Sequence, residues 1–119
     1  MKKTLVIGAS ENPERYSHKA IKMLNEHHHS ILALGTRTGE VDGIKIQKEI
    51  DKNEDVHTIT MYVGPRNQPV HYELIKQLKP QRIILNPGTE NPELESLAKE
   101  NNIEVIRACT LVMLSTGQY

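Results

Sequence analysis

A short apolar run near the amino terminus, over residues 5–7, ends directly in the small residues Gly8, Ala9 and Ser10. A polar stretch follows, and from Ser17 onward apolar residues recur with the period of an α-helix. In α/β proteins, a strand, a turn of small residues and a helix in this order commonly bind phosphate. Free backbone N–H groups at the turn and the dipole of the helix both favour an anion there. This stretch therefore predicts an α/β fold with an anion site at its first turn.

The same alternation of short apolar runs and helical segments continues along the chain. Strands are predicted over residues 3–8, 31–34, 58–63, 82–85 and 103–106, with a brief edge strand over residues 43–46. Helical segments are predicted from Pro13 or Ser17 to about residue 27, and over residues 47–51, 68–78, 92–101 and 110–114. The pattern predicts a single domain over residues 1–119, an α/β three-layer open parallel sheet of about five strands with helices on both faces.

Two of these helices carry more detailed expectations. Asn91 is predicted to cap the helix that begins at Pro92. The buried face of the 68–78 helix is predicted to carry Val70, Leu74, Ile75 and Leu78.

Composition excludes several classes of partner. Fifteen basic and fifteen acidic residues cancel, so no overall field attracts nucleic acid or a membrane surface, and any anion site must be local. No apolar segment reaches the length of a membrane span. The single Cys109 excludes an intrachain disulfide framework and fits a reducing compartment, so a cytoplasmic protein is expected.

The loops that follow the predicted strands contain residues suited to binding an anion. Parallel strands end at one edge of a sheet, so we expect these loops to lie together. Glycine lets the backbone approach a ligand closely, although at any single strand end it can simply begin a turn. Gly8, Gly35, Gly64 and Gly88 all lie within or close to these strand ends. Together with Arg37 and Arg66 beside them, they favour a binding site at this edge.

The residues disagree with the fingerprint of an NAD site. That fingerprint needs three glycines in the first turn and an acidic residue near the end of the second strand, which binds the ribose hydroxyls. Here the turn has only Gly8, and Ser10 stands where the second glycine would be. The second strand is followed by Thr36 and Arg37 instead of an acid.

Three motifs resemble those of the small bacterial coenzyme A-binding domain proteins: Gly8-Ala9-Ser10-x-Asn12-Pro13-x-Arg15-x-Ser17, Tyr62-Val63-Gly64-Pro65, and Leu85-Asn86-Pro87-Gly88. The resemblance extends to Cys109, so it covers nearly the whole chain. The same layout is similar to the coenzyme A-binding domain of the succinyl-CoA synthetase α subunit. The resemblance implies a Rossmann-like fold with coenzyme A lying along the carboxyl edge of the sheet.

The resemblance also implies a role for each matching loop. The first turn would bind phosphate through Gly8, Ala9 and Ser10, with added charge from Arg15 and Lys19. The second loop would face the adenosine side through Thr36 and Arg37. The third would pack on the adenine ring or the pantetheine arm through Val63, Gly64 and Pro65. The fourth would line the far part of the groove through Asn86, Pro87 and Gly88. Either Arg37 or Arg66 would read the 3′-phosphate.

No catalytic or metal-binding residues are predicted. The consecutive histidines at residues 27–29 point in different directions from a helix end, which indicates a polar terminus and not a zinc site. His18 and His71 lie at or close to predicted helix starts near the binding edge, where either could contact a phosphate; both are interpreted as surface residues. Cys109 is interpreted as a small buried hydrophobe, because no neighbouring His or Lys would lower its pKa. No pair of nucleophile and base is recognisable.

The first hypothesis is a small soluble protein that binds coenzyme A or a related adenine nucleotide and has no catalytic machinery of its own. Two alternatives stay open. One is a component of an acyl-CoA or NAD-dependent enzyme that acts with a partner chain, and the other is a scaffold that has lost its ligand. The apolar run at residues 111–114 fits packing either on the domain or on a second copy, so a homo-oligomer is compatible with the sequence.

Overall fold

The computed structural model describes residues 2–119, which form one mixed sheet with helices on both faces. Its seven strands within this range are β1 Thr4–Ile7, β2 Ile31–Leu34, β3 Gly39–Val41, β4 Ile44–Gln47, β5 Thr58–Met61, β6 Arg82–Leu85 and β7 Glu104–Arg107. The α-helices of the same residues are α1 Tyr16–Glu26, α2 Tyr72–Leu78, α3 Pro92–Glu100 and α4 Thr110–Ser115. Two 3-10 turns, Pro65–Asn67 and Pro69–His71, precede α2. None of the helices in the described range is long and apolar enough to cross a membrane.

The strands lie in the order β3-β4-β2-β1-β5-β6-β7. Every neighbouring pair is parallel except β3 and β4, which are antiparallel. Without β3, the six remaining strands are all parallel and lie in the order β4-β2-β1-β5-β6-β7. Numbered along the chain from β1, this is the doubly wound order 3-2-1-4-5-6. The order of the strands reverses at β1 and β5, so the ligand crevice of this fold lies at their carboxyl ends. The fold is therefore the predicted Rossmann-like α/β sheet.

Alternation along the strands divides the core between the two faces of the sheet. Leu5 and Ile7 pack in one cluster, and Val6 between them packs in the other. The first cluster includes residues of α2 and α3, namely Ile75, Leu78, Leu94 and Ala98. The second includes residues of α1 and α4, namely Ile21, Leu24 and Leu114. The sheet is thus covered on both sides, as its continuous aliphatic strands require.

The prediction of about five strands is too low. The edge strand predicted over residues 43–46 is observed as β4, but its antiparallel partner β3 was missed. Asp42 and Gly43 have φ angles of 50° and 83° and join β3 to β4. Positive φ at both positions is typical of the tight hairpin turn that Asp-Gly favours. The helical turn predicted over residues 47–51 is also wrong, since Gln47 belongs to β4 and no helix connects β4 to β5.

The segment before α2 differs from the predicted 68–78 helix. Two 3-10 turns occupy residues 65–71, and each begins at a proline, which has no N–H to donate to a preceding turn. Val70, predicted on the buried face, is 78% exposed, whereas Gln68 is completely buried. The predicted cap of the next helix is confirmed: the Asn91 side chain accepts a hydrogen bond from the Glu93 N–H at 3.1 Å.

A polar cluster lies at the amino-terminal ends of β5 and β6, which form the amino edge of the sheet and are opposite the ligand crevice. The Thr58 hydroxyl accepts a hydrogen bond from Arg82 Nε at 2.8 Å and lies 2.6 Å from His57 Nδ1. Because Arg82 can only donate, the hydroxyl proton of Thr58 is free to point at His57, which then accepts as a neutral ring. Burial, together with the positive charge of Arg82, lowers the pKa of His57.

This cluster makes stability depend on pH. The folded state favours neutral His57, so the unfolded chain binds more protons between the lowered pKa of the folded state and the ordinary value of 6.5. The contribution of His57 to the free energy of unfolding is therefore complete above the ordinary pKa of 6.5 and decreases as the pH falls from there towards the lowered pKa. Burial also lowers the pKa of His29 and adds to this decrease. We expect the His57→Asn variant to lose less stability on acidification, as measured by the urea midpoint between about pH 7.5 and pH 5.

The control is His28→Asn, which replaces an exposed histidine at φ 64°, a backbone conformation that asparagine tolerates. We expect it to keep the wild-type pH dependence. Identical slopes for wild type and His57→Asn would show that this histidine does not titrate with folding.

Candidate functional site

Two adjoining cavities occupy the crevice at the carboxyl ends of β1 and β5. The first, of about 930 Å³, is lined by residues of the loops after β1, β2, β5 and β6. The second, of about 680 Å³, is lined by residues that include Leu34, Ile50, Val63 and Leu74. Both are lined by Gly8 and Thr36, so the two cavities together form one groove across the point where the strand order reverses.

The backbone of the first turn is fixed by hydrogen bonds to β2. The N–H groups of Gly8 and Ala9 both donate to the carbonyl of Leu34 at 2.9 Å. Gly8 has φ 96°, and a Cβ there would lie 3.0 Å from the Tyr62 carbonyl, so only glycine fits. Gly8 and Ala9 therefore shape the turn, but their N–H groups already donate to Leu34 and are not available to a ligand.

The free donors of this loop lie further along the chain. Among the described residues, no protein group accepts from the backbone N–H of Ser10 or Glu11. At the start of α1, Arg15 is the capping residue but its side chain forms no capping hydrogen bond. The His18 N–H donates to the Arg15 carbonyl at 3.1 Å, but no protein group in the described chain accepts from the N–H groups of Tyr16 and Ser17. These two first-turn donors are consequently available to an anion, and the helix dipole adds to the attraction.

His18 connects this loop to α1. Its Nδ1 lies 3.0 Å from the carbonyl oxygen of Ser10, which can only accept, so Nδ1 is the protonated nitrogen. His18 is buried, so its interpretation as a surface residue is wrong. The side chain holds Ser10 at the first turn of α1.

Two arginines supply positive charge to the first cavity. Arg15 and Arg37 both line it, and neither forms a salt bridge with any residue that the structure describes. Glu11 and Glu14 line the same cavity. The carboxylate of Glu11 accepts a hydrogen bond from the Glu40 N–H at 2.9 Å, so it has a backbone partner.

The structure brings most of the predicted site residues together. The first cavity is lined by Gly8, Ala9, Ser10, Arg15, Thr36, Arg37, Gly64, Pro87 and Gly88. Val63 lines the second cavity. The residues that line neither are Lys19, Pro65, Arg66 and Asn86. The Lys19 ammonium lies 5.1 Å from the ring centre of Tyr16, and Pro65 and Arg66 form an exposed 3-10 turn.

Asn86 is buried and acts as a brace between strand ends. Its Nδ2 donates to Thr60 Oγ1 at 2.8 Å and to the Met61 carbonyl at 2.9 Å. Its Oδ1 accepts from the Thr110 N–H at 2.8 Å. The side chain therefore joins the ends of β5 and β6 to the start of α4 and is not directed at a ligand.

Gln68 is a second brace, and sequence reasoning missed it. Its Nε2 donates to the carbonyls of Val63 and Thr89 at 2.9 and 2.8 Å. Its Oε1 accepts from Asn91 Nδ2 at 2.9 Å. These bonds join the loop after β5 to the loop after β6, both of which line the groove. No signal in the neighbouring sequence distinguishes Gln68 from an exposed polar residue.

Removing this brace is expected to destabilise the protein. Gln68→Ala removes the side-chain partner of the Val63 and Thr89 carbonyls and one of the two acceptors of Asn91 Nδ2, and each orphaned buried group costs about 1–3 kcal/mol. We expect the free energy of unfolding, from urea titration, to fall by roughly 2–4 kcal/mol. The matched control, Gln77→Ala on the exposed side of α2, is expected to change it by less than about 0.5 kcal/mol. Equal effects of the two substitutions would contradict the role of Gln68.

Comparison with solved structures supports the fold. An uncharacterized protein is 47% identical with a TM-score of 0.96, and the match covers 100% of this chain and 98% of that chain. A protein from Thermus thermophilus is 24% identical with a TM-score of 0.86, over 99% of this chain and 90% of that chain. A dinucleotide-forming acetyl-coenzyme A synthetase 1 from Ca. Korarchaeum cryptofilum is 16% identical with a TM-score of 0.73, over 90% of this chain and 25% of that chain.

Comparison of sequences assigns the family. No curated protein matches the chain. The sequence model of the CoA binding domain, however, matches residues 2–115, which is nearly the whole chain. The crevice at the strand reversal, which holds the ligand in folds of this topology, is formed by residues inside that match. The protein therefore belongs to the coenzyme A binding domain family.

Proposed function

We propose that the protein binds coenzyme A in the groove and has no catalytic machinery of its own. One observation carries the proposal: free backbone donors and two unpaired arginines meet in the first cavity. The donors are the N–H groups of Ser10 and Glu11 and the uncapped start of α1, and the arginines are Arg15 and Arg37. Backbone N–H groups and guanidinium groups are the usual partners of a diphosphate. Membership of the family supports coenzyme A as the source of that diphosphate.

The shape of the groove suits the other parts of coenzyme A. The second cavity presents the apolar side chains of Leu34, Ile50, Val63 and Leu74, which suit a flat adenine ring. In the other direction, Gly64, Pro87 and Gly88 line the first cavity and offer little side-chain bulk to a long flexible arm. We therefore assign the adenosine end to the second cavity and the pantetheine arm to the loops after β5 and β6.

The titratable groups of the groove are poorly suited to catalysis. Tyr62 lines the first cavity, but burial raises its pKa to about 12 and its hydroxyl is buried without a partner in the described chain. His71 lines the second cavity, and burial lowers its pKa. The Glu11 carboxylate is held by a backbone N–H. None of these groups forms a nucleophile and base pair with another, which supports binding in preference to turnover.

Binding is expected to stabilise the folded protein. A ligand that binds only the folded state at about 100 times its Kd adds about 2.7 kcal/mol, which raises the melting temperature by roughly 5–10 °C in a chain of this size. We expect coenzyme A to produce such a rise in a thermal denaturation series. NAD is the matched control and is expected to produce none, because the first turn lacks the glycine pattern of an NAD site. No shift at millimolar coenzyme A would contradict the proposed function.

A comparison of one arginine inside the groove with one outside it provides a second test of the proposed function. Arg15 lines the first cavity, whereas Arg66 lies in the exposed 3-10 turn outside both cavities. We expect Arg15→Ala to weaken coenzyme A binding about tenfold or more, as for the loss of a charge-assisted hydrogen bond. Arg66→Ala is expected to leave the affinity unchanged in the same calorimetric titration. A larger loss for Arg66→Ala would place the phosphates beyond the 3-10 turn and contradict this arrangement.

A further inference from the structure

The loop after β2 is packed at both ends against the loop after β1. At its first residue, a Cβ on Gly35 would lie 2.6 Å from the carbonyl oxygen of Ala9. Where the loop meets β3, a Cβ on Gly39 would overlap Cδ of Glu11. Real Cβ atoms do not approach other atoms so closely, so both contacts depend on glycine. The residues between the two contacts are Thr36, Arg37 and Thr38, and all three line the first cavity.

The contact at Gly39 is made by the side chain of Glu11. Its carboxylate lies over Gly39 and accepts a hydrogen bond from the N–H of Glu40 at 2.9 Å. Glu40 belongs to β3, the short edge strand, and Gly39 is the first residue of that strand. The carboxylate therefore connects the loop after β1 to the hairpin, two residues beyond Arg37.

We propose that Glu11 is a positioning residue for Arg37. By holding the start of β3 against the loop after β1, Glu11 fixes the loop at residues 36–38 and keeps Arg37 at the first cavity. An arginine held in place loses less conformational freedom when a phosphate binds, which strengthens binding. This step deepens the proposed function, because the phosphates in question are those of coenzyme A.

Three substitutions separate the hydrogen bond from the charge. Glu11→Ala removes the side chain that makes the contact. Gly39→Ala keeps the carboxylate but puts a methyl group in its place. The three atoms nearest to that methyl belong to the flexible end of the Glu11 side chain, which can move away. Glu11→Gln removes the charge but keeps an oxygen that can accept from the Glu40 N–H.

The first experiment follows tryptic cleavage after Arg37 and needs no ligand. We expect cleavage to be several-fold faster in Glu11→Ala and Gly39→Ala than in the wild type, and unchanged in Glu11→Gln. Cleavage after Arg66, an exposed arginine remote from the contact, is the internal control for general loss of stability. Unchanged cleavage after Arg37 in both Glu11→Ala and Gly39→Ala would overturn the proposed contact.

The second experiment measures coenzyme A affinity by calorimetry in a double-mutant cycle. We expect Glu11→Ala to weaken binding about tenfold in the wild-type background and to have no further effect when combined with Arg37→Ala. Glu11→Gln should bind at least as tightly as the wild type, because it keeps the hydrogen bond and removes a negative charge near the phosphates. Equal weakening by Glu11→Ala with and without Arg37 would show that Glu11 does not act through that residue and would overturn the proposal.

The two experiments distinguish this proposal from the function on which it rests. If the wild type binds no coenzyme A, the proposed function fails and Arg37 has no coenzyme A phosphate to hold. The cleavage pattern then still decides whether Glu11 fixes the loop. If the wild type binds coenzyme A but cleavage and affinity are insensitive to Glu11→Ala and Gly39→Ala, the function stands and the positioning role is wrong.

Discussion

The carbonyl of Leu34 accepts hydrogen bonds from two successive amides of the first turn, those of Gly8 and Ala9. These two hydrogen bonds join the end of β1 to the end of β2 and fix the direction of the backbone after β1. Because these two amides are occupied, the donors available to a ligand begin at Ser10 and continue into the first turn of α1. Because Leu34 is the last residue of β2, the loop that follows starts directly against the same turn, with Gly35 on Ala9. The free amides after Ala9 and the loop that carries Arg37 are thus parts of one packed unit.

The other side of the groove is held by buried amide side chains. Asn86 and Gln68 between them join the ends of β5 and β6, the start of α4 and the cap of α3. A buried amide that uses both its donors and its acceptor is costly to disrupt, so it fixes loops that would otherwise move. A ligand in the groove would therefore meet walls that are already in place, and less of its interaction energy would be lost to ordering the loops.

Sequence patterns predicted the parts of this protein that depend on buried aliphatic runs. The strands β1, β2, β5, β6 and β7 are such runs, and their order with the helices was enough to predict a parallel sheet and the edge that forms the groove. The strand β3 has only three residues, Gly39–Val41, and carries no apolar alternation, so it could be found only through the Asp-Gly turn that follows it.

The site was harder to predict in detail, because the direction of a side chain depends on its partners in space. Asn86 stands in a motif that suggested a ligand contact, yet its amide turns inward to Thr60 and Thr110. Arg66 follows a predicted strand end, but the 3-10 turn that begins at Pro65 carries it away from both cavities. The N–H groups of the first turn were expected to be free, and only the position of Leu34 shows that two of them are used.

The pH-dependent cluster and the groove lie at opposite ends of the strands. The amino edge contains Arg82, which is 9% exposed and lies over the ring of Tyr119 at 4.6 Å, and beside it His57 is favoured in its neutral form. The carboxyl edge contains Arg15 and Arg37 at the first cavity. Strands of four residues place the edges roughly 13 Å apart, which exceeds the Debye length of about 8 Å at physiological salt. Protonation of His57 is therefore expected to alter folding stability more than the electrostatic field in the groove, and a chain with no net charge can still place two arginines at one cavity.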